Sequence, residues 1–289
     1  MPGSVLITGA SSGLGLETAV YLASRGWRVF ATVRDPARKA EVERAAVDSG
    51  ARLEVLPLDV TNRASIQEVV QEVVSRAGGI DALVNNAGIQ VRGYFEDVCE
   101  EEIRRVFETN LFGTMALTRA VLPHMRQARR GRILLVSSIG GRLGSLALSA
   151  YCASKFALEG FGESLAMEIA PLGIHVTLIE PGMIRTDIWG KNRGVSPGAL
   201  DPASPYAAWF QASERLANAA VSSSPTTPLH VARVVARALA SPRPRLRYVV
   251  GRRAEWLLAL RHLMPGHLFE KMYFSVVLKK VTLPRISGD

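Results

Sequence analysis

The stretch Thr8-Gly-Ala-Ser-Ser-Gly-Leu-Gly15 decides the fold of this chain. It ends an apolar run that begins at residue 5 and leads into a helical pattern at residues 16–25, so three glycines separate a strand from a helix. In that context Gly9 permits a tight turn, Gly13 lets the backbone approach a pyrophosphate, and Gly15 lets the helix pack closely on the sheet. Amides at the helix N-terminus then face the anion. A bare structural turn would not need this set of glycines, so the stretch predicts a dinucleotide-binding unit.

The same alternation of strand and helix continues along the chain. Short apolar segments with little charge predict strands that are buried on both faces of a parallel sheet, at residues 5–8, 28–32, 53–57, 82–84, 133–137, 175–179 and 248–250. Amphipathic stretches predict helices at residues 16–25, 65–76, 100–125 and 150–170. The simplest arrangement is an α/β fold: a doubly wound, seven-stranded parallel sheet of the Rossmann-like type, flanked by helices on both faces.

Two regions depart from this alternation. Residues 188–226 are rich in Gly, Pro, Ser and Ala, which predicts a mobile segment beside the substrate with a short helix at 207–219. We predict a Rossmann-like catalytic domain at residues 1–251 and a C-terminal helical extension packed on it at residues 252–289. The extension is apolar with basic residues between, a pattern that also fits peripheral contact with a membrane. A helix pair that covers the substrate pocket or a dimer face is the preferred expectation.

Composition excludes several kinds of protein. With 289 residues and 48% hydrophobic content, the chain can bury one large core. No apolar run is long enough to cross a bilayer and the N-terminus shows no signal-peptide pattern, so a cytoplasmic location is expected. Two cysteines and five scattered histidines predict neither a disulfide framework nor a metal site. The net charge of +9 comes from arginine-rich segments without interleaved aromatic residues, so no nucleic-acid partner is expected.

Tyr151 and Lys155 stand four residues apart in the predicted helix at residues 150–170, so their side chains share a face. A phenol with a pKa near ~10 is a weak proton donor at neutral pH, whereas an adjacent ammonium stabilises the phenolate and lowers that pKa. The pair therefore indicates a proton donor for a carbonyl oxygen. Taken alone, the spacing also fits an aromatic ring packed under a lysine stem.

The end of the second predicted strand distinguishes the two nicotinamide cofactors. Arg34 stands where an NAD-binding chain needs a carboxylate for the ribose 2′-hydroxyl, and a guanidinium suits a 2′-phosphate instead. Asp35 precedes Pro36 and could cap the following helix. NADP(H) is therefore predicted in preference to NAD(H). After the third strand, Asp59 fits an acceptor for the adenine edge or a cap for the next helix, for which Asn62 is another candidate.

Taken together, the motifs resemble those of the short-chain dehydrogenase/reductase family in its single-domain, Rossmann-like form, and they occur in the family's order. The resemblance covers about residues 4–190, with a looser match of the sheet beyond. The motifs are residues 8–15, Asn85-Asn-Ala-Gly88, Asn110, Ser138, Tyr151, Lys155 and Pro181-Gly-Met-Ile-Arg-Thr186. Within the family, residues 31–35, 151–160 and 247–251 are similar to the hydroxysteroid and retinol dehydrogenase branch.

The resemblance implies hydride transfer between nicotinamide and the carbon of a hydrophobic ketone or secondary alcohol. In the reductive direction it makes Tyr151 the proton donor and Ser138 a second hydrogen-bond donor to the same oxygen. Lys155 is expected to lower the pKa of Tyr151, together with the charged nicotinamide, and to hold the nicotinamide ribose. Asn110 is expected to hold a water that links Lys155 to solvent. Two other functions on the same scaffold are an epimerase or dehydratase, and a non-catalytic NADP-binding sensor.

The resemblance also assigns the residues that surround the two ligands. The residues expected to bind the cofactor are Thr8, Gly9, Ser11, Ser12, Gly13, Leu14, Gly15, Arg34, Asp59, Val60, Asn86, Ala87, Gly88, Tyr151, Lys155, Pro181, Gly182, Ile184 and Thr186. The substrate pocket is expected between residues 89–94, 140–148 and 188–226, with solvated arginines at its rim. Its candidate residues are Tyr94, Leu143, Leu146, Leu148, Ile188, Trp189 and Phe210 on the walls and Arg92 and Arg142 at the rim. A homodimer or homotetramer that associates through the helices at 100–125 and 150–170 is also implied.

Overall fold

The computed structural model describes residues 3–186 and 193–281 of the chain. Seven parallel strands form one sheet in the order β3-β2-β1-β4-β5-β6-β7. The strands are β1 Ser4–Ile7, β2 Arg28–Val33, β3 Glu54–Pro57, β4 Ala82–Asn85, β5 Gly131–Val136, β6 Ile174–Pro181 and β7 Arg247–Val250. Each predicted strand overlaps one of these seven, so the predicted sheet is confirmed.

Helices cover both faces of this sheet. They are α1 Gly13–Ser24, α2 Lys39–Asp48, α3 Arg63–Ala77, α4 Glu100–Phe107, α5 Thr114–Ala128, α6 Ser149–Ile169, α7 Pro197–Leu200, α8 Ala207–Ser222, α9 Pro228–Ala240, α10 Arg252–Leu263 and α11 Gly266–Lys280. Alternate residues of a strand point to opposite faces. Leu6 of β1 therefore joins one core with α3, α5 and α6, whereas Val5 and Ile7 join a second core with α1, α2 and α9. Burial on both faces explains the nearly unbroken apolar strands.

The strand order reverses between β1 and β4. From β1 the chain builds outward through β2 and β3, and it then returns to place β4 on the other side of β1. The loops after β1 and β4 therefore leave the sheet on opposite faces and open a crevice at its carboxyl edge, which is where ligands bind in sheets of this type.

The helix predicted at residues 100–125 is present and contains a π-helical turn. Helix α4 ends at Phe107, the π-helical turn spans Glu108–Gly113, and α5 begins at Thr114. The turn buries Asn110 completely, and the hydrogen bonds of that side chain run to residues outside the helix. Apolar periodicity cannot detect a wider turn of this kind, so the sequence predicted the helix but not the turn.

The two helices after β7 pack back onto the body of the protein. Phe269 of α11 is only 2% exposed. The Arg261 guanidinium of α10 donates to the carbonyl of Arg142 at 2.5 Å, and the Tyr273 hydroxyl of α11 donates to the carbonyl of Gly144 at 3.0 Å. Across residues 3–186 and 193–281, none of the helices has the length and apolar character that crossing a membrane requires.

Candidate active site

The turn between β1 and α1 has the geometry of a phosphate cradle. Gly9 has a φ of +66°, a left-handed conformation that favours glycine, and a Cβ there would lie 2.8 Å from the Cα of Ala87. A Cβ on Gly15 would overlap the carbonyl oxygen of Gly9. The turn therefore lies close against both α1 and the end of β4, as the sequence predicted.

Thr8 and Asn86 fasten this turn to the neighbouring strand. The Thr8 hydroxyl accepts hydrogen bonds from the amides of Asn86 and Ala87, both at 2.9 Å. In return, the Asn86 side-chain amide donates to the carbonyls of Thr8 at 2.9 Å and Gly9 at 3.1 Å. These bonds join the ends of β1 and β4 across the crevice. The polar side chain of Thr8 thus shapes the cradle, and its role in cofactor binding stays a prediction.

A cavity of about 430 Å³ occupies the crevice. It is lined by the predicted residues Gly9, Ser11, Ser12, Gly13, Leu14, Arg34, Asp59, Val60, Asn86, Ala87, Gly88, Ser138, Tyr151, Lys155, Pro181, Gly182, Ile184 and Thr186. Three predicted residues, Thr8, Gly15 and Asn110, lie behind the wall and support it. The sequence motifs converge because parallel strands bring their carboxyl ends to one edge.

Ser138 and Tyr151 meet at one end of this cavity. Ser138 follows β5 and accepts a hydrogen bond from the Gly140 amide at 3.0 Å, which orients its hydroxyl. That hydroxyl acts to lower the pKa of the Tyr151 phenol, but burial of the phenol outweighs this and raises the pKa of Tyr151 to about 12. Burial therefore exceeds the lowering of the Tyr151 pKa that the sequence predicted.

Lys155 lies one helical turn after Tyr151 and is only 5% exposed. Its ammonium nitrogen lies 5.8 Å from the centroid of the Tyr151 ring and donates to the carbonyl of Val136 at 2.8 Å. Burial lowers the pKa of Lys155 to about 8, against the opposing charge of Glu159. The lysine is thus a buried cation whose charge is lost at mildly alkaline pH.

Asn110 occupies the centre of the π-helical turn and uses both atoms of its side-chain amide. Its oxygen accepts from the Ile89 amide at 2.8 Å, and its nitrogen donates to the Ile89 carbonyl at 2.9 Å and the Ser154 hydroxyl at 3.0 Å. The side chain therefore fixes the loop after β4 to α6. The predicted water between Asn110 and Lys155 stays a prediction.

At the other end of the cavity, Arg34 is exposed and lines the wall. The Asp35 carboxylate accepts from the Ala37 amide at 3.0 Å and so caps the short helix that begins at Pro36. Asp35 thus serves the capping role that the sequence allowed for it. The alternative role of Asp59 as the cap of α3 was wrong, because Asn62 caps that helix and Asp59 accepts from the Thr61 amide at 2.9 Å.

Both predicted rim arginines form ion pairs. Arg92 is 1% exposed and pairs with Glu214 of α8, which also binds Arg193 at 2.5 Å, so the prediction of a solvated residue was wrong for Arg92. The side chain of Arg142 is 40% exposed, which agrees with a solvated position, and it forms an ion pair of 3.0 Å with Glu180, which is fully buried in β6. These arginines tie the loops around the cavity to the rest of the fold.

Some of the predicted pocket-wall residues line a cavity. Leu148 lines the cavity described above and Leu143 lines a smaller one beside it, whereas Leu146 lines neither. Tyr94 and Phe210 also line neither; they pack in a separate apolar cluster. Ile188 and Trp189 lie outside the described residues.

Sequence reasoning did not single out three further lining residues. Gln90 and Cys152 line the large cavity, and Ser145 lines both. Gln90 and Ser145 lie in segments that were expected to bound the pocket.

The groups that line the crevice suit a nicotinamide dinucleotide. A Cβ on Gly88 would approach the Asn110 oxygen to 3.2 Å and the Lys155 nitrogen to 3.6 Å. Because Gly88 has no side chain, a ribose can approach the backbone at this point. The N-terminus of α1 opens onto the same cavity through Ser12 and Gly13. A side chain at residue 88 would crowd Asn110, and the donor groups suit an anionic ligand with hydroxyls.

Comparison with known proteins agrees with this geometry. The family model described as short chain dehydrogenase matches residues 4–195. This chain is a short-chain dehydrogenase/reductase. It is 38% identical to Retinol dehydrogenase 8 of Bos taurus over 92% of this chain and 86% of that protein. It is also 38% identical to 17-beta-hydroxysteroid dehydrogenase type 1 of Homo sapiens, over 89% of this chain and 80% of that protein. It is therefore an oxidoreductase of the type that interconverts alcohols and carbonyls.

Solved members of the family share the whole architecture. A short-chain dehydrogenase from Streptomyces avermitilis superposes with a TM-score of 0.80 at 36% identity, covering 96% of this chain and 98% of that one. Members have been solved with either cofactor. A Burkholderia phymatum member in complex with NAD has a TM-score of 0.79 at 25% identity, covering 90% of this chain and 93% of that one. Actinorhodin polyketide ketoreductase with NADPH has a TM-score of 0.74 at 30% identity, covering 86% and 95%.

Proposed function

We propose that this short-chain dehydrogenase/reductase uses NADP(H) to interconvert a hydrophobic ketone and its secondary alcohol, with Tyr151 as the general acid and base. The observation that supports this most directly is that Ser138, Tyr151 and the buried ammonium of Lys155 line one cavity of about 430 Å³, with the ammonium 5.8 Å from the Tyr151 ring. The names of the two relatives, a retinol and a hydroxysteroid dehydrogenase, support an apolar substrate.

Each of the three side chains has a separate task. When bound, the nicotinamide supplies or accepts the hydride. Tyr151 donates its hydroxyl proton to the oxygen of the reduced carbonyl, and Ser138 donates a hydrogen bond to the same oxygen. Lys155 holds the ribose hydroxyls and opposes the effect of burial on the pKa of Tyr151 through its positive charge. Thr186 and the backbone at Ile184, on the wall nearby, bind the carboxamide end of the cofactor.

The preference for NADP(H) follows from the adenine end of the cavity. Arg34 lines that end as an exposed cation, while the neighbouring carboxylate of Asp35 is occupied in capping the Pro36 helix. A guanidinium recognises a phosphate through charge-assisted hydrogen bonds, and the carboxylate that would hold a 2′-hydroxyl is engaged elsewhere.

The substitution Tyr151→Phe tests the mechanism, because it removes one hydroxyl and keeps the ring. We expect kcat for NADPH-dependent ketone reduction to fall by roughly 10²- to 10⁴-fold while NADPH binding, measured by fluorescence titration, is retained. Tyr21→Phe, on α1, is the matched control and should leave kcat unchanged. Retained turnover in Tyr151→Phe would contradict the assignment.

Stoichiometry of the cofactor distinguishes this function from its alternatives. An oxidoreductase converts one NADPH for each ketone reduced. An epimerase or dehydratase that works through a transient oxidised intermediate turns over substrate without net change of NADPH, and a sensor binds the cofactor without turnover. A panel of steroids, retinals, aromatic ketones and polyketide-like carbonyls, followed at the NADPH absorbance and by product analysis, therefore separates all three.

A further inference from the structure

A second cavity, of about 210 Å³, adjoins the first at the Tyr151 end. Four residues line both cavities: Ile139, Ser145, Gly182 and Met183. Since Ile139 directly follows Ser138 and Gly182 directly follows β6, the shared wall lies beside the reacting groups. A molecule whose carbonyl meets Tyr151 can therefore extend into the second cavity.

The C-terminal extension forms the far wall of this cavity. Ala254 and Leu257 of α10 and Tyr273 of α11 line it, opposite Leu143 of the loop after β5. Most of the remaining lining is also apolar or backbone. The one charged side chain, that of Arg253, is exposed and donates to the Ser223 hydroxyl at 2.9 Å. The chemistry of the wall suits an uncharged, apolar group.

Tyr273 also connects the extension to the loop that carries the shared wall. Its hydroxyl donates to the carbonyl of Gly144 at 3.0 Å. Neighbouring Ser145 acts to lower the pKa of Tyr273 on one side and that of Cys152 on the other. Cys152 directly follows Tyr151 in α6. A few contacts therefore link α11 to the residues beside the proton donor.

The Arg261 guanidinium makes a second connection, 2.5 Å from the carbonyl of Arg142. It also lies 5.9 Å from the ring centroid of Phe269, a buried residue of α11. The loop at residues 142–145 is therefore held from the extension at two points, so its position relative to Ser138 depends on α10 and α11.

We propose that α10 and α11 complete the substrate site, that the second cavity holds the apolar body of a bulky, uncharged ketone or alcohol, and that Leu257 and Tyr273 determine which molecules fit. This inference rests on the proposed function. Leu257 limits the size of the apolar body through its side chain, whereas Tyr273 is a positioning residue that acts through Gly144 and Ser145.

The substitution Leu257→Trp tests the wall, because it fills the cavity without touching the first one. The assay compares NADPH-dependent reduction of a polycyclic ketone such as a decalone with that of cyclohexanone. We expect the KM for the polycyclic ketone to rise by about tenfold or more, in keeping with the size discrimination of apolar pockets, while kcat and KM for cyclohexanone change less than about twofold. Leu263→Trp, on the outer face of the same helix and 80% exposed, is the control and should change neither.

The substitution Tyr273→Phe tests the positioning role with minimal risk to folding. Loss of the hydroxyl releases Gly144, so the KM for the polycyclic ketone should rise several-fold while kcat at saturation and the Kd for NADPH stay unchanged. A merely structural defect would instead lower the amount of active enzyme and so reduce kcat for both ketones equally.

The affinity of the NADPH-loaded protein for the polycyclic ketone, measured by calorimetry, distinguishes failure of this inference from failure of the proposed function. Binding that Leu257→Trp weakens supports the site even if no ketone is reduced, in which case only the proposed function fails. Equal affinity in wild type and Leu257→Trp, or no binding to wild type, overturns the inference whether or not the protein turns over other carbonyls.

Discussion

The side-chain amide of Asn110 forms two hydrogen bonds with the backbone of Ile89. Its oxygen accepts from the Ile89 amide at 2.8 Å, and its nitrogen donates to the Ile89 carbonyl at 2.9 Å. This double contact makes the π-helical turn a support for the loop that follows β4. Because Ile89 lines the cavity, a residue behind the wall sets the position of a residue on it.

The substitution Asn110→Ala leaves the buried Ile89 amide and carbonyl without these partners. We predict that it lowers the free energy of unfolding by about 1–3 kcal/mol even without cofactor, as measured by urea denaturation. Asn218→Ala, which removes an exposed amide on α8, is the control. Unchanged stability in Asn110→Ala would mean that the amide serves only a bound water or ligand.

The substitution Arg34→Ala removes the guanidinium that we assign to the 2′-phosphate. The Kd for NADPH should rise by roughly tenfold or more, because a charge-assisted contact is lost, while the Kd for NADH should change little. Arg38→Ala is the control, since Arg38 pairs with Glu41 at 2.8 Å on the same short helix. Equal weakening for both cofactors, or equal wild-type efficiency with NADH, would refute the role of Arg34.

The lowered pKa of Lys155 predicts a pH dependence of cofactor binding. The lysine is protonated below its pKa of about 8 and neutral above it, so its attraction for the anionic cofactor weakens as the pH rises. We expect the Kd for NADPH to increase by roughly fivefold across this range, the difference between a charged and a neutral hydrogen bond. Lys155→Met should bind more weakly at low pH and show no such transition; a transition that persists in this variant would assign it to another group.

The outer face of α10 predicts peripheral contact with a membrane, separately from the inner face that covers the cavity. Trp256 is 73% exposed and Leu263 is 80% exposed, and the basic residues Arg252 and Lys271 are exposed nearby in α10 and α11. An apolar stripe beside cations suits an anionic lipid surface. We predict that the protein floats with anionic vesicles and that Trp256→Glu with Leu263→Glu abolishes flotation.

Val47→Glu is the control for that experiment. Val47 is also exposed, at 69%, but it belongs to α2 and not to the C-terminal helices. Wild-type protein that stays unbound at every lipid composition would rule out membrane contact through this face. Association of two copies through the same face would appear as a dimer that Trp256→Glu dissociates without lipid.

Exposed aromatic residues on the predicted association helices give a test of oligomeric state. Phe112 in the π-helical turn is 49% exposed and Phe156 of α6 is 44% exposed. We predict that wild type sediments as a dimer or tetramer and that Phe112→Glu with Phe156→Glu yields monomers. Phe95→Glu, at a site 68% exposed outside these helices, should leave the oligomer intact. A monomeric wild type would contradict the prediction.

Strands were predictable because each is a short apolar run buried on both faces. Three helices, α2, α7 and α9, were not predicted. In α2 only Val42 and Ala46 are buried, so its apolar stripe is weak, and α7 is only four residues long. Helix α9 buries small side chains such as Ala238 in the core that it shares with α1. The π-helical turn follows from the hydrogen bonds of Asn110, which no periodicity encodes.

Site residues were predictable where they belong to motifs at strand ends, since the sheet brings those ends together. The contacts of Arg92 and Tyr273 were not, because their partners lie 122 and 129 residues away in the chain and depend on how the loops dock. The pKa of Tyr151 moved opposite to expectation for a related reason: a spacing of four residues reveals a neighbouring charge and says nothing about burial.

The hydrogen bond between the Tyr273 hydroxyl and the Gly144 carbonyl has a consequence for how the substrate range of this protein can evolve. The proposed proton donor and the cofactor crevice are encoded before residue 190, whereas the part of the proposed substrate wall that α10 and α11 form is encoded after residue 250. On this proposal, mutations that accumulate in the last two helices alter which alcohols are recognised while the hydride chemistry is inherited unchanged. The end of the chain is the natural place to redesign this enzyme for a new ketone.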